Sequence, residues 1–347
     1  MEQTLKGTII YGDEFEPIDG YITIEDGKII NVEESAIVSD VIIAPCFVNA
    51  HTHIGDSVIK DPPFMPLSDL VAPPDGLKHR ILRQTPYSEL LISIRATIGD
   101  MIKTGTCAFC DFREGGLHGA SVLKEALGTH PGIASVIFGR PEDYDMNFLD
   151  ICQGTGLSST NDLKTEYVQD ILKNTREKGK KFAIHAGEKD STDISGALSL
   201  SPDFLVHLTK ASDKDIKTVA DSNIPVVVCP RSNYMTRSGI PPIQKMIDAD
   251  ITVAVGTDNV MLNSANMFSE MEFLVKTNIF DDRQVFKLCT LNGAKLLGID
   301  KESGSIIKGK KARLMILTQK SDNMHGTKNP LASLVRRARP DDIIRII

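Results

Sequence analysis

The sequence predicts an α/β protein whose main part is a (β/α)8 barrel, together with a small sheet made from both ends of the chain. From about residue 41, short apolar runs alternate with amphipathic segments, as expected of parallel strands that are each followed by a helix. The runs are nearly continuously apolar, which is typical of strands covered on both faces. The two chain ends have a different, strand-rich pattern. We therefore assign residues 1–45 plus 303–347 to one domain and residues 46–302 to the barrel.

The N-terminal segment alternates apolar and polar residues and is interrupted by turn signals at Gly12-Asp13 and Asp26-Gly27. Asp-Gly between two alternating runs is a strong hairpin signal. We therefore expect a small antiparallel sheet at this end of the chain. The strand pattern returns in SGSIIKGKKARLMILT, which is expected to rejoin this sheet, and residues 321–347 are expected to add a final turn and strand.

The barrel strands are expected in VIIAPCFVNA, TCAFCDF, IASVIFG, TGLSS, KFAIHA, DFLVHL, PVVVCP and ITVAVGT. The fourth run, TGLSS, has the weakest pattern. Helix-like segments such as YSELLISIRATIGDMIKTG and KTEYVQDILKNTREKG lie between the runs. The long, proline-rich segment 54–76 follows the first strand and is expected to act as a lid, because long loops in compact domains are often functional.

Composition excludes several classes of protein. The net charge of the 347 residues is -7, which gives no basic surface for nucleic acid and weakly disfavours an anionic membrane. There is no apolar run of about 18 residues that would span a bilayer. The N-terminus lacks the features of a signal peptide, so we expect the cytoplasm, with the six cysteines reduced and buried. The CxxC of Cys107 and Cys110 is ascribed to core packing rather than to metal or redox use.

His51 and His53 end the first expected barrel strand, in the motif HTH. Because side chains alternate along a strand, both imidazoles face one side and Thr52 faces the other. In (β/α)8 enzymes the active site is built at the carboxyl ends of the strands. The pair therefore predicts half of a metal site, although an HxH motif alone is weak evidence.

Further candidate ligands end other strands. His185 and His207 each close an apolar run, and Asp258 follows ITVAVGT. Singly, each has an ordinary alternative, a core histidine or a helix N-cap aspartate. Their shared placement favours one divalent ion bound by the whole set, and direct ligation by His207 is left open. The set comprises His51, His53, His185, His207 and Asp258.

Glu188 lies three residues after His185, and Gly187 between them allows the chain to turn back over the pocket. A surface carboxylate is the alternative. Beside a metal site, a carboxyl group with a raised pKa is suited to passing a proton to a leaving nitrogen.

These motifs resemble the amidohydrolase superfamily in order and spacing: HTH at 51–53, HAGE at 185–188, VH at 206–207, CPRSN at 229–233 and GTDN at 256–259. The resemblance is greatest to the branch with cytosine and guanine deaminases, S-adenosylhomocysteine deaminases and triazine chlorohydrolases, and it covers essentially the whole chain. It implies a TIM-like barrel and a β-sandwich domain built from both chain ends. One departure is Arg313, where relatives usually have aspartate.

The resemblance also implies one metal ion. Binuclear members bridge two ions with a carboxylated lysine on the fourth strand, and GTGLSS contains no lysine. Several imidazoles with one carboxylate suit Zn²⁺, or alternatively Fe²⁺, better than Mg²⁺ or Ca²⁺. The expected cofactor is therefore a single divalent ion, with Zn²⁺ preferred.

The expected activity is deamination of a nucleobase, nucleoside or related N-heterocycle by a metal-activated water. Asp258 would accept a proton from the water, Glu188 would protonate a ring nitrogen, and His207 would bind the ion or the attacking water. The same residues would also serve a hydrolase of a cyclic amide or another C–N or C–Cl bond, as in imidazolonepropionase-like or chlorohydrolase-like members. A non-catalytic scaffold is a remote alternative, since every ligand position is filled.

Candidate substrate contacts follow three of the strands: Arg113, Arg140, Arg231 and Asn233. The guanidinium groups would bind a carboxylate, a phosphate or a ring carbonyl, although a structural ion pair is the alternative for each arginine. Asn233 is expected either to hold a loop or to contact the substrate. The expected partner is a small heterocycle, not nucleic acid or a membrane. A homo-oligomer is left open.

Overall fold

The structure, a computed structural model, describes residues 2–142, 144–277 and 281–347. It consists of two compact units. Unit 1 contains Met1–Asn49, Met101–Ala108 and Asn266–Ile347, and unit 2 contains Ala50–Asp100 and Phe109–Ala265.

The secondary structure alternates between strands and helices through the middle of the chain. The strands are β1 (Glu2–Tyr11), β2 (Glu16–Glu25), β3 (Lys28–Glu34), β4 (Val41–Pro45), β5 (Phe47–His53), β6 (Thr106–Arg113), β7 (Ala134–Gly139), β8 (Gly154–Leu157), β9 (Lys181–Ala186), β10 (Phe204–His207), β11 (Val226–Val228), β12 (Val253–Val255), β13 (Asp258–Asn259), β14 (Leu314–Thr318) and β15 (Ile343–Ile346). The α-helices are α1 (Leu67–Val71), α2 (Leu77–Gln84), α3 (Tyr87–Lys103), α4 (Gly116–Leu127), α5 (Thr165–Glu177), α6 (Ile194–Ser199), α7 (Asp213–Asp221), α8 (Pro230–Met235), α9 (Ile243–Asp248), α10 (Met267–Thr277), α11 (Asp282–Leu288), α12 (Leu291–Leu297) and α13 (Pro330–Arg336).

Unit 1 contains a six-stranded sheet in the order β15-β14-β4-β1-β2-β3. Both predicted hairpins are confirmed, since β1 pairs antiparallel with β2 and β2 with β3. Asp26 and Gly27 both have positive φ, as a type I′ turn requires. The predicted return of the C-terminal segment is also confirmed, because β14 pairs antiparallel with β4 and with β15. Buried aliphatic side chains, among them Ile9, Ile22 and Leu314, form the core of this sheet.

The second sheet has nine strands in the order β12-β11-β10-β9-β8-β7-β6-β5-β13. Pairing is parallel from β7 through to β12 and between β13 and β5. The two outermost strands, β12 and β13, are separated along the chain by only Gly256 and Thr257. The sheet therefore curls until both its edges lie in one segment, 253–259. The run TGLSS does form a strand, β8, as predicted.

The expected first barrel strand differs from the prediction. The run 41–50 forms two strands, with β4 in the six-stranded sheet and β5 in the nine-stranded one. The break falls at Cys46, directly after Pro45, which lacks an amide hydrogen with which to continue a strand ladder. A continuous apolar run does not reveal such a change of sheet.

Aromatic side chains of unit 2 pack below the carboxyl ends of the strands. Phe112 stacks on Phe138 with ring centroids 5.5 Å apart, and Phe204 meets Phe138 edge-on at 5.2 Å. The ring of Phe112 also contacts His51 at 4.6 Å and His185 at 5.1 Å. The buried ring of Phe112 thus packs against the imidazoles of His51 and His185.

All six cysteines are buried and none of them forms a disulfide bond, as predicted. Among the described residues, no helix is both long and apolar enough to cross a membrane.

Candidate active site and metal centre

His51 and His53 lie at the carboxyl end of β5 and are almost fully buried. Thr52 points to the other side, as predicted, where its hydroxyl donates to the Asp111 carboxylate at 2.8 Å. Asp111 also accepts the backbone N–H of Ile54 at 2.7 Å. This buried aspartate therefore fixes the end of the strand that carries both histidines.

The Nε2 atoms of three histidines converge. His185 Nε2 lies 3.3 Å from His51 Nε2 and 3.4 Å from His53 Nε2. A tetrahedral Zn²⁺ ion with Zn–N bonds of about 2.1 Å would place its nitrogen ligands about 3.4 Å apart. These three nitrogens therefore already have the spacing of a ligand set.

Hydrogen bonds on the far side of two rings leave Nε2 unprotonated. His185 Nδ1 lies 2.7 Å from the Leu157 carbonyl, and His53 Nδ1 lies 3.0 Å from the Phe112 carbonyl. A carbonyl oxygen only accepts, so both rings carry their proton on Nδ1 when neutral. Both Nε2 lone pairs are then free to bind a metal ion.

Asp258 lies in β13 and completes the group. Its Oδ1 is 3.6 Å from His51 Nε2 and 3.7 Å from His53 Nε2, while its Oδ2 accepts a hydrogen bond from Ser232 at 2.5 Å. Burial opposes ionisation, but the hydrogen bond to His51 and the neighbouring imidazoles outweigh it, so the pKa of Asp258 lies well below its usual value. Asp258 is therefore an anion directed at the Nε2 atoms of His51 and His53.

His207 stands beside this group, at the end of β10. Asn233, on α8, places its amide nitrogen 3.1 Å from His207 Nδ1 and 3.3 Å from Glu188 Oε1. Thr209 donates to the Asn233 carbonyl oxygen at 3.0 Å, which supports this orientation of the amide. Because Asn233 donates to Nδ1, neutral His207 carries its proton on Nε2.

Glu188 faces the same imidazole. Its Oε2 lies 3.5 Å from His207 Nε2, and 20% of its side chain is exposed. Burial raises the pKa of Glu188, with a further increase from Asp258 and an opposing effect of His207. Gly187, with φ +64°, makes the predicted sharp turn. A carboxyl group of this kind is suited to donating a proton.

A cavity opens above the group and is lined by His53, His185, Glu188, His207 and Asp258. Part of the predicted lid segment contributes to the wall through Leu67, Val71 and Pro73. Ser158, Asn161 and Asp162 also line the cavity. The cavity therefore combines apolar and polar lining groups with the candidate metal ligands and Glu188.

The four candidate substrate contacts separate in the structure. Arg140 lines the cavity, with its nearest carboxylate oxygen, Glu114 Oε1, 3.8 Å from its Nη1. Arg113 is buried and pairs with Glu114 at 2.8 Å, and it lines a different cavity. Neither Arg231, which is only partly buried, nor Asn233, which is fully buried, is among the described residues around the first cavity.

Three groups at the site, those of Lys78, Cys229 and Glu114, were not anticipated from the sequence. Lys78, on α2, lines the cavity although it is 3% exposed, and its ammonium lies 2.6 Å from Glu114. Cys229 has its sulfur within 4.8 Å of potential ligand atoms of His207 and Asp258. Glu114 directly follows strand β6, and a position just after an apolar strand is the signal that predicted Asp258. Nothing in the sequence of α2 indicates a role for Lys78.

Comparison with known proteins gives consistent matches. The amidohydrolase family matches residues 42–347. An uncharacterized protein of Methanocaldococcus jannaschii is 34% identical over 98% of this chain and 96% of its own length. A 5-methylthioadenosine/S-adenosylhomocysteine deaminase of Pyrococcus horikoshii is 27% identical over 100% of this chain and 93% of its own. The crystal structure of an adenosine deaminase from Xanthomonas campestris with bound zinc has a TM-score of 0.80 at 18% identity, covering 96% of this chain and 88% of that one.

Proposed function

Since the chain belongs to the amidohydrolase family, we propose that it is a metal-dependent aminohydrolase that deaminates a nucleobase, a nucleoside or a related N-heterocycle. The observation that carries the proposal is the convergence of three imidazole nitrogens and one carboxylate beside a second, protonatable carboxyl group. The first group suits a metal ion, and the second suits proton transfer to a nitrogen. The deaminase of Pyrococcus horikoshii makes an adenine nucleoside the first candidate substrate.

The proposed cofactor is a single Zn²⁺ ion, with Fe²⁺ as the alternative, bound by His51, His53, His185 and Asp258. The nitrogen spacing and the tautomers of two of the rings support this assignment. A bound ion of this kind lowers the pKa of water towards about 7 and stabilises developing negative charge. We assign His207 to the reacting oxygen rather than to the ion, because the contact with Asn233 directs its N–H towards the cavity.

The proposed reaction replaces the amino group on a ring carbon by oxygen from water. Asp258 accepts a proton as the water oxygen bonds to that carbon. Glu188 donates its proton to the adjacent ring nitrogen, and His207 donates a hydrogen bond to the new oxygen. The C–N bond then breaks with its electron pair on nitrogen, which takes up the proton held by Asp258 and leaves as ammonia. The proton of the new hydroxyl passes to Glu188 as the ring carbonyl forms, so both carboxyl groups return to their starting states.

Arg140 is the proposed substrate contact among the arginines, because it alone of the three lines the cavity wall among the described residues. Its guanidinium would bind an anionic or carbonyl oxygen of the substrate. Segment 54–76 is proposed to close over the bound ring, as its side chains already form part of the wall.

We also propose that the six-stranded sheet belongs to a β-sandwich domain of residues 1–45 plus 303–347, and that residues 46–302 form the barrel domain. Pairing between β4 and β14 supports a domain drawn from both chain ends. A cytoplasmic location stays a prediction from the sequence, and the oligomeric state is open.

The test is ammonia release by the zinc-reconstituted protein from a panel of adenine nucleosides, purine and pyrimidine bases, a cyclic amide and a chlorotriazine. We expect ammonia from at least one aminated heterocycle. Ring opening without ammonia, or chloride release alone, would overturn deamination in favour of the alternative hydrolases. Failure to bind stoichiometric zinc would favour the scaffold instead.

A further inference from the structure

A group of buried charges lies behind His53, on the side of the ring away from the other metal-binding candidates. Glu114 Oε1 is 2.9 Å from His53 Nδ1, and Lys78 Nζ is 2.6 Å from the same oxygen. All three side chains are no more than 6% exposed. Lys78, Glu114 and His53 therefore form a continuous chain from the cavity wall to a candidate ligand.

This arrangement distinguishes His53 from His185. Among the contacts of the described residues, the Nδ1 atom of His185 meets only a neutral backbone carbonyl, at 2.7 Å. The Nδ1 atom of His53 lies between the Phe112 carbonyl at 3.0 Å and the anionic Glu114. The hydrogen bond to the Phe112 carbonyl fixes the tautomer, whereas the adjacent carboxylate adds negative charge, and that charge makes the opposite nitrogen a stronger donor to a cation.

Isolating a carboxylate from water is costly unless cations compensate it. Lys78 provides the nearest compensating charge, and Arg113 contributes at 2.8 Å from the second carboxylate oxygen. Lys78 is itself also 3.3 Å from Asp56. Without the charge of Glu114, Lys78 keeps Asp56 and Arg113 keeps Asp111, at 3.6 Å, as carboxyl neighbours, but the group loses one negative charge and repels a divalent ion more strongly.

We propose that Glu114, with its charge balanced by Lys78, is a positioning residue that orients His53 and strengthens its binding of the metal ion. The proposal rests on the metal site of the proposed function and adds to it a residue outside the ligand set. Its expected effect is on metal affinity. Losing such a partner of a metal-binding histidine typically weakens binding about 10–100-fold.

The test is the zinc dissociation constant of Glu114→Gln, measured by competition with a chromophoric chelator and compared with the wild-type protein. Glutamine preserves shape and removes charge. Glu177→Gln, on the exposed face of α5, is the matched control and should bind zinc like the wild type. The visible spectrum of the cobalt-substituted protein reports the ligand geometry independently of activity, and circular dichroism confirms folding.

We expect zinc binding by Glu114→Gln to weaken about 10–100-fold. In Glu114→Gln/Lys78→Met one positive charge is removed as well, so the double variant should bind zinc more tightly than Glu114→Gln alone. Should Glu114→Gln not fold, Glu114→Asp retains the charge but withdraws the carboxylate by one C–C bond of about 1.5 Å, and it should weaken zinc binding and alter the cobalt spectrum.

Unchanged zinc affinity in a folded Glu114→Gln or Glu114→Asp would overturn the proposal, even if activity fell. A wild-type protein that binds no zinc would instead contradict the proposed function. The two failures are therefore distinguishable in the same titration.

Discussion

Asn233→Asp changes a hydrogen-bond donor that contacts both His207 and Glu188 into an acceptor while keeping its size. The Asn233 amide nitrogen lies 3.1 Å from His207 Nδ1 and 3.3 Å from Glu188 Oε1. With a carboxylate oxygen in that place, His207 must carry its proton on Nδ1 to make a hydrogen bond. Its Nε2 then becomes an acceptor and can no longer donate to the reacting oxygen.

Two effects of this substitution can be calculated, a loss in kcat and a repulsion between two carboxylates. Losing one donor to a developing oxyanion costs about 10²–10³ in kcat, or about 2.7–4 kcal/mol. In addition, two carboxylates at the observed 3.3 Å would repel each other by about 5 kcal/mol at an effective dielectric constant of about 20. The pair would therefore retain a proton, and the apparent pKa attributed to Glu188 would rise further.

The assay is the kcat/KM for ammonia release across a pH series, with each protein matched for zinc content. Asn174→Asp is the control, since Asn174 is exposed on α5 and donates only to the Asp170 carbonyl among the contacts of the described residues. We expect the control to behave as wild type. Zinc-loaded Asn233→Asp that keeps kcat/KM within about tenfold of wild type would refute the assigned tautomer of His207, because about 10² is the least that a lost donor should cost.

Three further predictions address other parts of the structure. Glu188→Gln should retain zinc but lose most deamination, and an unchanged kcat in this variant would refute the proton-donor role. In the wild-type protein, activity should be lost as pH rises through the raised pKa of Glu188, because only the protonated carboxyl group donates. Arg140→Met should raise KM about tenfold or more with little change in kcat, since a hydrogen bond to a charged group contributes about 1.5–3 kcal/mol. An unchanged KM would show that Arg140 does not bind the substrate. Phe138→Ala should lower the free energy of unfolding by about 3–5 kcal/mol in urea denaturation, whereas Tyr144→Ala, at an exposed ring, should have little effect.

Much of the fold was predictable because the spacing of apolar residues along the chain indicates where strands and helices form. The eight apolar runs all form strands, although the first is divided, and the hairpins follow the expected turn residues. The candidate ligands were predictable for a topological reason, since parallel strands end on the same rim. The resemblance and the expected class of activity are confirmed by the family match and the named relatives, whereas the roles of single residues stay predictions.

Contacts between distant parts of the chain were not predictable. Lys78 reaches Glu114 from a helix 36 positions earlier in the sequence, and a lysine on a short amphipathic helix normally faces water. The sequence leaves Asn233 either holding a loop or contacting the substrate, and it does not reveal the contacts of its amide with His207 and Glu188. Residue type and strand position select the groups nearest to the rim, whereas the groups that orient them depend on packing between elements.

Backbone conformation explains a further part of the site that side-chain patterns miss. His207 and Asp258 have φ of 80° and 61°, a region that residues other than glycine rarely adopt. Such residues usually require surrounding structure to maintain them, at a cost on the order of 1–3 kcal/mol each. The side chains of both residues accept hydrogen bonds from α8, in which Ser232 donates to Asp258 and Asn233 to His207. Adjacent residues of one short helix thus orient the side chains at both of these positions, which gives the segment CPRSN a structural reason to accompany this ligand set.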